Sequence, residues 1–329
     1  MLRVVFAGSP ECAVPSLEAL ARSHRIVAVM TNPPAPVGRS SQPQATAVAQ
    51  AARRLMLEGL LDPSTPILEA PKIDDAARTA LADTQPDIMA CFAYGRIFGP
   101  KTLALFPLGA YNLHPSLLPR WRGCAPVPAA ILARDTETGI TIQRMALEMD
   151  AGDILLQTRR TLNGRETAGT LLAELAEEGA PLFVQALNAV ESGTAVFTPQ
   201  DHTAATVCSM LCKADGQIDW NRSAADIDAQ VRAFSPWPGA WTVCGDQTLL
   251  LLETAWRECE PGDTPDQAAS HPPAPGTVLG VDKNAGILVQ TGCGILVLRR
   301  LQWRSKKPLD WQSFVNGSRS FLQARLGLG

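Results

Sequence analysis

An amide, an imidazole and a carboxylate are the side chains in this sequence best arranged to do chemistry. Asn112 and His114 stand two apart in Tyr111-Asn112-Leu113-His114, and in an extended strand that spacing projects both from one face. Asn112 brings a neutral N–H donor, and His114 a ring that can take up and release a proton. Asp150 follows in Leu147-Glu148-Met149-Asp150-Ala151-Gly152-Asp153-Ile154, an acidic turn between apolar runs at 140–145 and 154–161. Such a set suits acyl transfer to an amine. The amine must lose a proton, the attacked carbonyl oxygen gains negative charge, and the leaving nitrogen must gain a proton. The residues alone leave a second reading open, because a histidine beside a proline-rich loop can serve packing only.

The elements around them alternate. Apolar runs at 2–7, 25–31 and 87–92 predict buried strands, and the stretches 15–23, 45–55 and 76–82 predict helices between them, with Pro15 suited to a first turn. Strand–helix alternation of this kind makes a doubly wound, mostly parallel α/β sheet, which binds ligands at the carboxyl ends of its strands. The turn after the first strand, Gly8-Ser9-Pro10-Glu11, lacks the Gly-x-Gly-x-x-Gly pattern. This Rossmann-like sheet is therefore not expected to hold a dinucleotide, and a dehydrogenase is disfavoured. Prolines and serines over 32–43 predict a long irregular loop. A helix at 168–190 leads into a Gly/Thr/Pro-rich connection. Beyond it, a helix at 224–234 and short glycine-broken strands at 248–254, 276–281, 286–290 and 294–301 predict a small β-barrel, interrupted by an exposed loop at 260–275. The expected organisation is a catalytic domain at 1–191, a linker at 192–207 and a barrel domain at 208–329.

Composition agrees with two globular domains. A chain of 329 residues exceeds one ordinary core, and 46% apolar with 19% charged residues excludes a disordered or fibrous protein. The formal net charge of −3 does not advertise a nucleic-acid partner. The C-terminal end reads differently: Arg299, Arg300, Arg304, Lys306, Lys307, Arg319 and Arg325 there face Asp310 alone, which suggests a localised anionic partner. No signal peptide and no membrane span are expected. The eight cysteines form no Cys-x-x-Cys pair, and no histidine–cysteine cluster has ligand spacing. A reducing compartment and a metal-free site are therefore expected.

Asn112-Leu113-His114-Pro115-Ser116-Leu117-Leu118-Pro119, followed by Asp150-Ala151-Gly152-Asp153-Ile154, resembles the signature of the folate-dependent formyltransferases. Over nearly its whole length the chain is similar to the branch of that superfamily that acts on methionyl-tRNA. The matching stretches are the opening Phe6-Ala7-Gly8-Ser9-Pro10-Glu11, then Ala93-Tyr94-Gly95 and Pro119-Arg120-Trp121-Arg122-Gly123. In the second half they are Ile218-Asp219-Trp220, Arg232-Ala233-Phe234-Ser235-Pro236-Trp237-Pro238 and Ala274-Pro275-Gly276-Thr277-Val278-Leu279.

The resemblance implies transfer of a formyl group from 10-formyltetrahydrofolate to the amino group of methionine on initiator methionyl-tRNA. Asn112 would hold the formyl oxygen. His114 would be acid/base and electrostatic partner of the tetrahedral intermediate. Asp150 would orient His114 and help remove the amine proton. The folate would be held by Phe92, Ala93 and Tyr94, by Ser116, Leu117, Leu118 and Pro119 of the loop lining the reaction channel, and by the turn residues Leu147, Asp150 and Asp153. The tRNA would be met by Arg39 in the prolyl loop, by Arg120 and Arg122, and by Arg304, Lys306 and Lys307 on a C-terminal barrel of oligonucleotide-binding type. The family often follows the loop arginine with lysines; here Ser40-Ser41-Gln42 stand instead, which weakens the loop's hold on phosphates. A formyltransferase for a small amine would share the three catalytic types but lack the second domain. A cytoplasmic monomer without membrane contact is the expected state.

Overall fold

The computed structural model describes residues 1–36, 42–258 and 273–327. The chain divides into two compact units. One comprises Met1–Pro126, Glu137–Thr161 and Leu172–Cys208, the other Val127–Thr136, Leu162–Leu171 and Ser209–Gly329.

Seven strands form the sheet of the first unit: β1 (Arg3–Gly8), β2 (Arg25–Met30), β3 (Ile67–Leu68), β4 (Ile88–Phe92), β5 (Ala110–His114), β6 (Glu137–Arg144) and β7 (Ile154–Thr161). Their order is β7-β6-β5-β4-β1-β2-β3. Strands β1 to β5 pair in parallel. The central ones are covered on both faces, which is why they read as unbroken apolar runs rather than alternating ones. The edge beyond β5 is antiparallel, and β6 reaches β7 through the loop 145–153 without a helical crossover. The helices of this unit are α1 (Val14–Ser23), α2 (Ala47–Leu57), α3 (Asp75–Asp83) and α4 (Pro100–Leu103); α5 (Pro126–Leu132) falls in the second unit from Val127 on, and α6 (Ala168–Glu191) belongs to the first from Leu172 on. Thr46 and Asp74 cap α2 and α3 by accepting the N–H of Ala49 and Ala77.

The strand order reverses at β1, whose neighbours are β2 and β4. A Cβ on Gly8 would lie 2.8 Å from the Phe92 carbonyl oxygen and 2.9 Å from the Ala13 Cβ, so the end of β1 requires glycine for close packing. Just past the strand ends, Asn32 donates its backbone N–H to Ser9 Oγ (3.1 Å) and its amide to the Tyr94 carbonyl (3.0 Å), and accepts from Arg96 Nε (2.7 Å). Opposite the site, α6 comes down on β5 at Gly179, where a Cβ would stand 2.6 Å from Leu113 Cδ1. The stretch expected as a linker, 192–207, is part of this unit. Val207–Cys208 pairs in parallel with Arg122–Gly123, and Gln200 is buried.

The second unit carries β8 (Ala240–Cys244), β9 (Gln247–Arg257), β10 (Val278–Asp282), β11 (Gly286–Gln290) and β12 (Ile295–Trp303), with α7 (Ala224–Ala233) and α8 (Trp311–Gly317). The strands are antiparallel in the order β8-β9-β12-β11-β10. They enclose a core that includes Trp220, Ile227, Leu249, Leu251, Ile287, Leu296, Leu298 and Phe314. β8 and α8 were not anticipated from the sequence. The two edge strands are joined through the end of the chain. Val278 N–H donates to Ala324 O (3.0 Å), Leu326 N–H to Gly276 O (2.8 Å) and Gly327 N–H to Val243 O (2.9 Å). The expected barrel therefore closes through its C-terminal segment. Among the described residues no helix is long and apolar enough to cross a membrane.

Candidate active site

Asn112 and His114 sit on β5, between parallel β4 and antiparallel β6, and strand alternation turns both away from the face on which Leu113 meets α6. His114 is buried. Its Nε2 lies 2.8 Å from the Trp121 carbonyl. A carbonyl only accepts, so Nε2 carries a hydrogen. Nδ1 then faces Asp150 Oδ2 at 3.6 Å. Asn112 is half-buried, and its side-chain amide makes no hydrogen bond among the described residues, so its donors are available to a ligand.

Within a turn whose Leu147, Glu148 and Met149 are exposed, the Asp150 side chain is only 12% exposed. Its backbone has φ +53°, a left-handed conformation that a residue with a Cβ adopts only when held there. Oδ2 accepts the Gly123 N–H (2.9 Å) and Oδ1 accepts Gln143 Nε2 (2.7 Å). At Gly152 a Cβ would fall 1.8 Å from the Arg144 carbonyl oxygen, so the turn closes only with glycine there. Gln200, which nothing in the sequence singled out, donates to the carbonyls of Asp150 (2.8 Å) and Gly152 (2.7 Å). Its Oε1 accepts from Arg122 Nε (3.1 Å) and Nη2 (2.8 Å).

That geometry corrects the reading of Arg122 as a tRNA contact. Its side chain is 6% exposed and lies 3.5 Å from Glu148, and its Nη2 is also 3.2 Å from His202 Nδ1. A guanidinium buried and engaged in this way has no face for a phosphate. Arg120 is exposed and stacks over the Trp121 ring at 4.5 Å. The loop just before them, 116–119, is largely packed into the structure. Ser116 and Leu118 are buried. Ser116 Oγ donates to Arg120 O (2.7 Å), Thr141 Oγ1 to Ser116 O (2.7 Å), and Leu118 N–H to Thr141 Oγ1 (3.2 Å). Leu117 covers Gly139, where a Cβ would stand 2.5 Å from Leu117 Cδ2, and Pro119 is half-buried.

The expected pocket residues Phe92 and Tyr94 have buried side chains, at 2% and 1% exposure. Tyr94 stacks on Phe98 at 5.3 Å in the core beside α3. Only Ala93 between them faces out, with φ +52°. Leu147 is exposed, and the backbone N–H groups of Leu147 and Met149 make no hydrogen bond among the described residues. Asp153 is exposed while its carbonyl accepts the Arg144 N–H (2.9 Å). In the second unit Arg304, Lys306 and Lys307 are exposed on the turn after β12, without an ion pair among the described residues. Gln302 Nε2 braces that turn by donating to Lys306 O (2.6 Å). Arg39 lies outside the described residues.

An amide with unengaged donors and a buried imidazole–carboxylate pair thus lie together in a doubly wound sheet, groups of the kind that acyl transfer to an amine requires. The family model "Formyl transferase" matches residues 2–187, and "Formyl transferase, C-terminal domain" matches residues 210–319. The chain is 50% identical to the methionyl-tRNA formyltransferase of Treponema pallidum (strain Nichols) over 100% of both chains. It is 47% identical to that of Treponema denticola, over 98% of each. Among solved structures, an N-formyltransferase from Helicobacter canadensis, bound to folinic acid and dTDP-3-aminofucose, superposes with a TM-score of 0.63 at 16% identity, covering 91% of this chain and 99% of that one. HypX from Aquifex aeolicus in complex with tetrahydrofolic acid gives 0.59 at 17%, covering 98% of this chain and 47% of that one. Those two likenesses bear on the fold alone. The chain belongs to the methionyl-tRNA formyltransferase family.

Proposed function

We propose that the protein transfers the formyl group of 10-formyltetrahydrofolate to the amino group of methionine on the initiator tRNA, giving formylmethionyl-tRNA for translation initiation. The observation that carries this reading is the unpaired Asn112 amide next to the His114–Asp150 pair. A pterin is flat and presents donors and acceptors along one edge. The free N–H groups of Leu147 and Met149, the exposed backbone at Ala93 and the exposed Leu147 side chain fit such a ring. Phe92, Tyr94, Ser116 and Leu118 support this surface from behind, and Leu117, Pro119 and Asp153 border it.

The amine nitrogen attacks the formyl carbon, and the carbonyl electron pair moves to oxygen. The Asn112 N–H stabilises that oxyanion, a contribution of about 3–4 kcal/mol to the barrier. The amine proton passes to the His114–Asp150 pair, where Nδ1 is the ring nitrogen able to receive it. The proton returns to the folate nitrogen as the bond from that nitrogen to the formyl carbon breaks. His114 thus works as a proton holder beside Asp150, with its other nitrogen anchored to Trp121. Arg39 and Arg120 would guide the acceptor end, while Arg304, Lys306 and Lys307 would hold phosphates without reading sequence. The enzyme would work as a cytoplasmic monomer, which sedimentation at working concentration tests.

The deciding assay incubates the protein with 10-formyltetrahydrofolate and charged initiator tRNA. Formylmethionyl-tRNA is the expected product. Formylation of an amino-sugar nucleotide with none on the tRNA would overturn the reading.

A further inference from the structure

We propose that Gln143 and Gln200 are positioning residues that, with Arg122 behind them, hold the Asp150 carboxylate against His114. The inference deepens the catalytic reading above and rests on it. Gln143, Gln200 and Arg122 are 1%, 6% and 5% exposed. Burying three such polar side chains is costly unless each is hydrogen-bonded; apart from the Arg122–His202 contact, the side-chain bonds described for them lead toward Asp150 or its turn.

The direction of the chain of bonds follows from its first member. A guanidinium can only donate, so Gln200 must turn its oxygen to Arg122 and its NH2 the other way. That NH2 meets the carbonyls of Asp150 and Gly152, and at 3.3 Å the Oε1 of Gln143. Gln143 must then present its own NH2 to Asp150 Oδ1, at 2.7 Å. The donors run one way, from Arg122 through Gln200 and Gln143 to the carboxylate, the arrangement in which successive hydrogen bonds polarise one another. Gln200 pins the backbone of a residue held at φ +53°. Gln143 pins the carboxylate against rotation about its last bond, so that Oδ2 stays toward His114. Neither glutamine can exchange a proton at working pH, and neither is expected to touch substrate.

The test compares Gln143→Met, Gln143→Glu and Gln200→Met with the unaltered enzyme and with Asp150→Asn. It follows formylation kinetics over a pH series, with thermal melting as a folding control. Loss of the Gln143 donor should lower kcat by about 10- to 100-fold, the effect of a misplaced reacting group, with KM for both substrates within about twofold of the unaltered value. Gln200→Met should act in the same sense. Gln143→Glu keeps size and fold but sets a second carboxyl at hydrogen-bond distance from Asp150. The two must then share a proton, so the acid limb of the kcat profile should move to higher pH, a shift that Gln143→Met should not show. If Asp150→Asn is inactive while Gln143→Met and Gln143→Glu keep normal kcat and an unshifted profile, the positioning role is overturned and the catalytic reading stands. If Asp150→Asn keeps its rate, the catalytic reading fails and the positioning role fails with it.

Discussion

Asn112 and Asp150 differ in what the folded protein asks of them. The Asn112 amide has no partner among the described residues, so Asn112→Ala should leave the melting temperature nearly unchanged while lowering turnover about a hundred- to a thousandfold. A variant with near-normal turnover would remove the oxyanion role. Asp150 is bound more closely into the structure. Asp150→Ala leaves the Gly123 N–H and the Gln143 amide without acceptors. It should therefore abolish formylation and also cost about 1–3 kcal/mol of stability per stranded donor. Turnover and urea denaturation measured on the same preparation check both halves. A variant of unaltered stability would show that water replaces the carboxylate.

The elements that matter most are the turn from β6 to β7 and the junction of α1 with β2. In the turn, Gly152→Ala would drive a methyl group into the Arg144 carbonyl. The hairpin must open, with an expected loss of about 2–3 kcal/mol and of activity, since Asp150 moves with it. Full activity in that variant would mean that the turn tolerates a displacement the proposed mechanism does not allow. At the junction, His24 is buried and neither ring nitrogen has a hydrogen-bond partner. Burial holds its pKa below the ordinary 6.5, against the pull of Glu191 from α6 and with a smaller push from the amino terminus. Because the unfolded chain takes up a proton there first, stability present above about pH 6.5 drains away as the pH falls from that value toward the lower folded one. Urea denaturation should show stability declining as the pH falls below about 6.5. His24→Leu should flatten that decline, and an unchanged slope would assign it to other groups.

At the scale of the whole molecule, an acidic protein of net charge −3 would, on the proposed function, meet a polyanion through the exposed cationic turn after β12. Reversing charge at Lys306 and Lys307 should weaken binding to initiator and elongator tRNAs alike. The salt slope should fall by about one unit for each phosphate that the protein no longer neutralises. Arg39→Ala should instead reduce turnover on initiator tRNA more than affinity. Formylation kinetics with both methionyl-tRNAs across a salt series separate the two. An unchanged slope would mean that the turn after β12 serves only to guard a sheet edge, and unchanged initiator turnover would make the prolyl loop a connector.

The sequence by itself determined what is local. The apolar runs of β1, β2 and β4 are legible because a strand buried on both faces needs no partner to be recognised. Asn112 and His114 could be paired because a period of two is a property of the backbone. Tertiary structure alone decided which polar groups lie behind them. Gln143 and Gln200 meet across 57 positions of chain, and no periodicity marks a glutamine whose partner is that far away. The same holds for Arg122, whose surface-like sequence context conceals a buried guanidinium, and for Phe92 and Tyr94, which a strand end could have turned to either side. It holds as well for the terminal segment that joins β8 to β10. Burial and hydrogen-bond partnership depend on what the folded chain brings within about 3 Å, and that is settled by packing across the molecule rather than along it.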